Sequence, residues 1–389
     1  MPGTHEPLTD AMVEPGFNGR NPFPHYARMR AEAPVAWNAT QGFWALSRFA
    51  EVHEVSTDPD RFCSGKGILT MEIGLEYDSP PTMMHTDPPE HTAYRKLVQP
   101  GFKPSLMKAL VPVARDRLLD LFDGVQDGQP VDFVQAVSVP FPLRIIGDLL
   151  GLPDEDWEDF FHWSEAMTGA IDLTPEERTT IQGDMRAYFF EVIARKRAEP
   201  GEDLISVLAA EDLSDDELFM FLNQLLVAGN ETTRNTISGG LWALAERPDQ
   251  WQRLVEDRSL LPSAVEEILR WTTAVIAFMR TATRDTTLGG LEIAADDPVL
   301  MLYSSANRDE AQFGPTADRF DVGRDPNNHL AFGFGAHFCI GAALARLEVR
   351  LVLEELLARF RTLEPAGEVA YSPSDIIAGV TSAPLRFAG

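Results

Sequence analysis

The chain has 389 residues, 44% of them hydrophobic, and a formal net charge of −27 at pH 7. That apolar share supplies a large core, while the acidic balance argues against nucleic acid as a partner and for solubility. No apolar run approaches the ~20 residues that a membrane span requires, so no membrane anchor is expected.

Length alone suggests two or three domains. No Gly/Ser- or Pro-rich linker, internal repeat or low-complexity run divides the chain, so one compact body is expected. Residues 1–21 read as an N-terminal extension rich in Pro, Gly and acids, without the basic start and apolar core of a signal peptide. Residues 22–389 read as a single domain. The two cysteines, Cys63 and Cys339, lack metal-type spacing and point to a reducing, cytoplasmic compartment.

In chain order, residues 22–33 read as a short helix, followed by strands at 35–37 and 42–47 and a helix at 48–57. Residues 65–84 are irregular but apolar, carrying Ile68, Leu69, Met71, Ile73 and Met83. Such a segment is either a buried connection or a binding loop. His91 and Arg95 lie four apart on one helical face, where two donors suit an anion or form an ordinary surface pair. Helices follow over 105–122, 131–150, 153–170 and 175–198. Pro153 stands at a first helical position, and Thr174-Pro175-Glu176-Glu177 supplies a cap, a proline and acids. Trp157, Phe160, Phe161 and Trp163 form an aromatic cluster, either core or the roof of a cavity.

Ser214-Asp215-Asp216-Glu217 is a capping box, and Pro248 lies just beyond Glu246. A helix of about 33 residues between them would be roughly 50 Å long. Its middle, Ala228-Gly229-Asn230-Glu231-Thr232-Thr233, is polar and helix-weakening, so a local distortion is expected there, structural or functional. Pro262 opens a helix with Glu267 and Arg270 at i, i+3, a pairing that is weak by itself. A β-like run at 275–279 precedes Arg280. Finally, a glycine-rich loop delivers Cys339 to an amphipathic helix over 340–360. Gly333, Gly335 and Gly341 permit positive φ, and backbone N–H groups at the helix start favour a thiolate. A thiolate so placed suits haem iron; a small buried structural cysteine is the plainer reading. A dinucleotide fingerprint fails because the third glycine position is Phe338.

F-G-x-G-x-H-x-C-x-G at 332–341, followed by Ala345, Arg346, Leu347 and Glu348, resembles the haem-ligand loop of the cytochrome P-450 monooxygenases of soluble bacterial type. A-G-x-E-T-T at 228–233, H-T-D-P-P-E-H-x-x-x-R at 85–95 and E-x-x-R at 267–270 match in the family's order, from about residue 22 to 387. The resemblance implies a mainly α fold with small β-sheets around a long central helix, and haem b with Cys339 on the iron. It implies propionate contacts from His91, Arg95, Arg280 and His337, with Phe332, Gly333, Ala228 and Gly341 also against the haem. Thr232 would hydrogen-bond dioxygen and Glu231 relay protons. Ile68, Leu69, Met84, Val227, Ile276 and Phe278, with Val275 and Met279, would line the substrate pocket. Glu267 and Arg270 would form a structural network with Arg319.

The implied reaction puts one oxygen atom of O2 into a hydrophobic substrate, with electrons from a ferredoxin and its NAD(P)H-dependent reductase. Lys96, Arg346 and Arg350 would form a local basic patch for that acidic partner. The motifs look similar to actinobacterial enzymes acting on sterols and branched lipids; terpenoids are also open. A peroxide-driven peroxygenase would not need the Glu231-Thr232 pair. A non-catalytic haem-binding or gas-sensing protein usually carries an output domain, for which this chain has no room.

Overall fold

In the computed structural model, residues 6–14, 16–18, 21–75, 82–168, 173–372, 374 and 376–389 are described. The architecture follows from one element, the helix Asp215–Ala245, 31 residues long. Its start is fixed reciprocally: Glu217 N–H donates to Ser214 Oγ, and Ser214 N–H donates to the Glu217 carboxylate at 2.9 Å. From Leu218 onward it is buried on nearly every face, as befits a helix surrounded by others. Helices Pro140–Leu150, Trp157–Thr168, Pro175–Ala198, Leu261–Thr272 and Ala342–Arg359 all pack against it. Gly240 lets the last two turns approach Leu261–Thr272: a Cβ there would lie 2.5 Å from Ile268.

Beside the helices stands a five-stranded sheet: β1 Val35–Asn38, β2 Phe43–Leu46, β3 Phe62–Cys63, β4 Ala277–Ala282 and β5 Pro298–Leu302, in the order β1-β2-β5-β4-β3. Only the β2–β5 pairing is parallel. Strand alternation divides its side chains between two small cores. Phe43, Met279, Leu300 and Leu302 meet Leu8, Met12, Tyr26 and Met29 on one face. Leu46, Phe62, Val299 and Met301 meet Val52, Val55, Tyr303 and Leu330 on the other. The N-terminal segment is docked, with Asn38 Nδ2 donating to Thr9 O at 3.0 Å. Among the described residues no helix is long and apolar enough to cross a membrane.

Several expected elements are revised. The stretch 131–150 is not one helix. Pro130–Asp132 pairs with Pro384–Ala388 as a strand, a π-helical turn follows at Val134–Ser138, and the α-helix starts at Pro140. Pro153 is extended, with ψ 140°, and the helix behind it starts at Trp157 after a 3-10 turn; residues 169–170 of its expected end lie outside the described residues. The last helix is Ala342–Arg359, because Ile340 still belongs to the turn. The central helix runs unbroken through 228–233, where threonine back-bonds add to the ladder without interrupting it. Phe160 and Trp163 pack with Tyr188, Phe189 and Phe219 as core between three helices.

Candidate active site

The cysteine loop is held by its own backbone and by the Asn307 side chain. Leu330 N–H donates to Asn307 Oδ1 at 2.7 Å, and Cys339 N–H donates to Phe332 O at 2.9 Å. Gly333 and Gly335 have φ of 65° and 71°, which a side chain would strain. At Gly335 a Cβ would also lie 2.2 Å from Ser56 O, so the loop presses on helix Phe49–Thr57. Gly341 departs from expectation: its φ is −82°, and it serves as the N-cap of the cysteine helix, its Cβ position 3.9 Å from Sγ. Cys339 keeps an exposed surface although protein encloses it, so the thiol forms the floor of a recess. Burial pushes its pKa up; the Gly341 and Ala342 N–H groups, Arg95 and Arg346 oppose that. The loop alone therefore does not impose the thiolate. A bound metal cation is what that state requires.

Four basic groups gather over the recess. The His91 and His337 rings are 4.1 Å apart, and His337 Nε2 is 3.0 Å from Ser64 Oγ. Burial and then the charges of Arg280, His91 and Arg95 hold His337 down to about 2, so it is neutral. Burial lowers His91, Arg95 and Arg280 as well. The buried His91 Nε2 has no hydrogen-bond partner, and neither Arg95 nor Arg280 has an ion pair among the described residues. Arg280 makes a bond to its neighbour's carbonyl, Met279 O, at 2.6 Å. Unpaired buried cations are costly, so this cluster calls for a dianionic ligand. A haem, with two propionates for the cations and an iron for the thiol, fits the donor set.

The central helix carries the expected acid–alcohol pair. Ala228 is exposed in mid-helix, between buried Leu226 and Asn230, and Thr232 lies one turn on along the same face. Thr232 Oγ1 donates to Ala228 O at 2.8 Å. Glu231 is buried and bonded to Arg234 at 2.5 Å, which also reaches Glu165 at 2.7 Å. Val227 and Met84 are half-buried. Phe278 lies on the sheet face turned to Tyr303, whose hydroxyl approaches Gly333, and Val275 joins the same cluster. Ile68, Leu69 and Ile276 do not join them. They line a cavity of about 90 Å³ with Met12, Tyr26 and Phe43; Val275 and Ile276, just ahead of the strand Ala277–Ala282, pack into different clusters, and Ile276 also borders a larger recess.

The Glu267–Arg270 pair is wholly buried and bidentate, at 2.7 and 2.8 Å. Arg270 also donates to Asn307 O, Ala317 O and Arg319 O. Here Arg319 is a correction: it offers its carbonyl while its side chain is exposed, and the second guanidinium on Glu267 is Arg324's, at 3.1 Å. Asn327 and the Asp321 N–H complete the carboxylate's bonds.

Sequence reasoning missed two further groups. Glu72, buried in the apolar loop, accepts from Ile68 N–H and Leu69 N–H, while His85 bonds it at 3.1 Å and reaches Thr82 at 2.9 Å. Glu266 holds His329 at 3.1 Å and Arg346 at 2.7 Å, tying the loop's approach to the cysteine helix. A carboxylate inside an apolar run, and one directly before the Glu267 motif, were the available signals. Of the expected basic patch, Arg346 is thus neutralised and Arg350 lies 3.7 Å from Glu354, while Lys96 has no ion pair among the described residues.

Comparison with known proteins gives a consistent result. Residues 131–386 match the family profile described as Cytochrome P-450. The chain is 37% identical to cytochrome P-450 130 of Mycobacterium tuberculosis over 386 residues, covering 94% of this chain and 95% of that one. It is 38% identical to a steroid C26-monooxygenase of the same organism, with 93% and 92% covered. The solved structure of a cytochrome P-450 from Chondromyces apiculatus superposes with a TM-score of 0.87 at 37% identity, covering 97% of each chain.

Proposed function

The chain belongs to the cytochrome P-450 family of monooxygenases, and from that membership we propose that it hydroxylates a steroid or a related branched apolar lipid at one C–H bond. The cofactor in this reading is haem b, the domain that holds it spans 22–389 with 1–21 as an extension, and the compartment is the cytoplasm. The balance is one O2, two electrons and two protons per substrate, giving an alcohol and one water. A ferredoxin with its NAD(P)H-dependent reductase supplies the electrons. The observation that carries the reading is the Cys339 thiol grouped with His91, whose Nε2 is unpartnered, and with the cations Arg95 and Arg280, which have no carboxylate partner among the described residues.

Bound haem supplies dioxygen activation, and a thiolate ligand donates the electron density that favours O–O cleavage. The protein's part is position and protons. Cys339 Sγ would be the thiolate ligand, its charge supported by the Gly341 and Ala342 N–H groups against burial. His91, Arg95 and Arg280 would hold the anionic groups of the cofactor. Thr232 Oγ–H turns from Ala228 O toward the reaction chamber and donates there. Glu231, exchanging its bond to Arg234 for water, passes protons to Thr232. Phe278, Val275, Val227 and Met84 present apolar surface to the substrate.

The printed name of the mycobacterial relative supports the steroid class. Titration of the ferric protein with steroids and sterols, against fatty acids and monoterpenoids, tests it by the iron's spin state. A saturable low-to-high-spin shift with steroids is expected. A shift confined to fatty acids or terpenoids would remove the assignment.

A further inference from the structure

A second recess lies farther along the central helix, on the face that carries Ala228 and Thr232. It encloses about 590 Å³, and Asn235, Trp242, Trp271, Phe23, Arg247 and Arg308 contribute to its wall. Asn235 separates it from the residues above the cysteine: Val380 N–H donates to Asn235 Oδ1 at 3.3 Å, and Gly379 packs against the same side chain.

Arg308 gives this recess its chemistry. It is only 7% exposed, yet it has no ion pair among the described residues and its Nε has no partner. Three described arginines near it are each matched: Arg30 by Glu310 at 3.1 Å, Arg270 by Glu267 at 2.7 Å, and Arg247 by Glu246 at 3.3 Å. The Phe23 and Trp271 rings cover its two faces, with centroids 3.4 and 3.7 Å from the guanidinium carbon. Stacked on both sides, the guanidinium has only its in-plane N–H edge left for bonding. Carboxylates match that edge. Trp271 O, at 3.4 Å from Nη2, is a weak partner for part of it. Burial and then the charges of Arg270 and Arg247 depress Arg308 well below its ordinary range, as expected of a cation lacking an anion. Within a chain of net charge −27, the described residues of the recess wall carry Arg247 and Arg308 against Glu246. Its remaining wall combines aromatic and aliphatic side chains, Trp242, Trp271 and Val380 among them, with neutral polar ones such as Asn235 and Ser304.

We infer that this recess is a second binding site, for an aromatic carboxylate, with Arg308 as the anion partner and Trp242 and Trp271 as apolar walls. No relation to the steroid reading is required, since the site lies beyond Asn235.

The test is calorimetric titration of the holoprotein with 2-naphthoate while 4-phenylimidazole saturates the haem iron. Binding at one site per chain is expected, with the neutral 2-naphthylmethanol at least tenfold weaker. Arg308→Met should weaken naphthoate at least tenfold. Ala378→Trp, which fills the recess from the 376–380 turn, should abolish binding. Should Arg308→Met fail to fold, the neutral analogue and Ala378→Trp decide alone. Absence of naphthoate binding, displacement by 4-phenylimidazole, or equal affinity for the alcohol would each overturn the inference.

Discussion

Thr232 is the side chain on which the proposed proton path turns. Its hydroxyl, now bonded to Ala228 O at 2.8 Å, is the polar group that the central helix presents beside exposed Ala228. Thr232→Val keeps the shape and removes the donor. Product formed per NAD(P)H should fall about 10- to 100-fold while substrate spin-shift affinity stays within twofold, general acid–base contributions being of order 10² or more. Unchanged coupling would contradict the role. His91 is the second case. Its orphaned Nε2 makes His91→Leu a test of haem retention, and a lost charge-assisted bond of about 1.5–3 kcal/mol should raise the haem dissociation rate about 10- to 100-fold. At this scale the motifs were legible because spacing fixes which side chains share a helical face, as for His91 with Arg95. Arg319 was misread because its motif partner is reached through its backbone, and sequence does not distinguish a carbonyl from a guanidinium.

Among the elements, the central helix and its capping box were legible to within two residues, since caps are local chemistry. The stretch 131–150 was not. Its strand exists only by pairing with Pro384–Ala388, some 250 residues away, and no local pattern reports that partner. Ile276 was placed wrongly for a related reason: which cluster a residue just ahead of a strand joins is set by tertiary packing, not by its hydrophobicity. The Glu267 network gives the element-scale prediction. Removing one partner of a buried ion pair costs about 3–5 kcal/mol. Glu267→Ala should therefore unfold near that much more easily in urea. Arg324→Ala should destabilise by more than 1 kcal/mol and Arg319→Ala by less than about 0.5, since exposed side chains contribute little. The reverse order would restore Arg319.

Taken whole, the molecule is strongly acidic, yet its interior around the cysteine loop is held by matched and unmatched cations. Glu266 links these levels. Burial would raise its carboxyl, but the His329 and Arg346 hydrogen bonds outweigh that and bring it to about 2, below its ordinary 4.5. A depressed pKa adds stability that is present above 4.5 and lost as pH falls toward 2. Glu266→Gln should thus lower the urea midpoint at neutral pH and flatten its decline across that acid window. Parallel declines would exclude the linkage. What most directly tests the whole account is the ferrous–carbon monoxide difference spectrum of the purified protein beside Cys339→Ser. A strongly red-shifted Soret band, absent from folded Cys339→Ser, is the predicted result. A band typical of histidine-ligated haem in the fresh wild-type protein, or a red-shifted band that survives Cys339→Ser, would contradict thiolate ligation by Cys339.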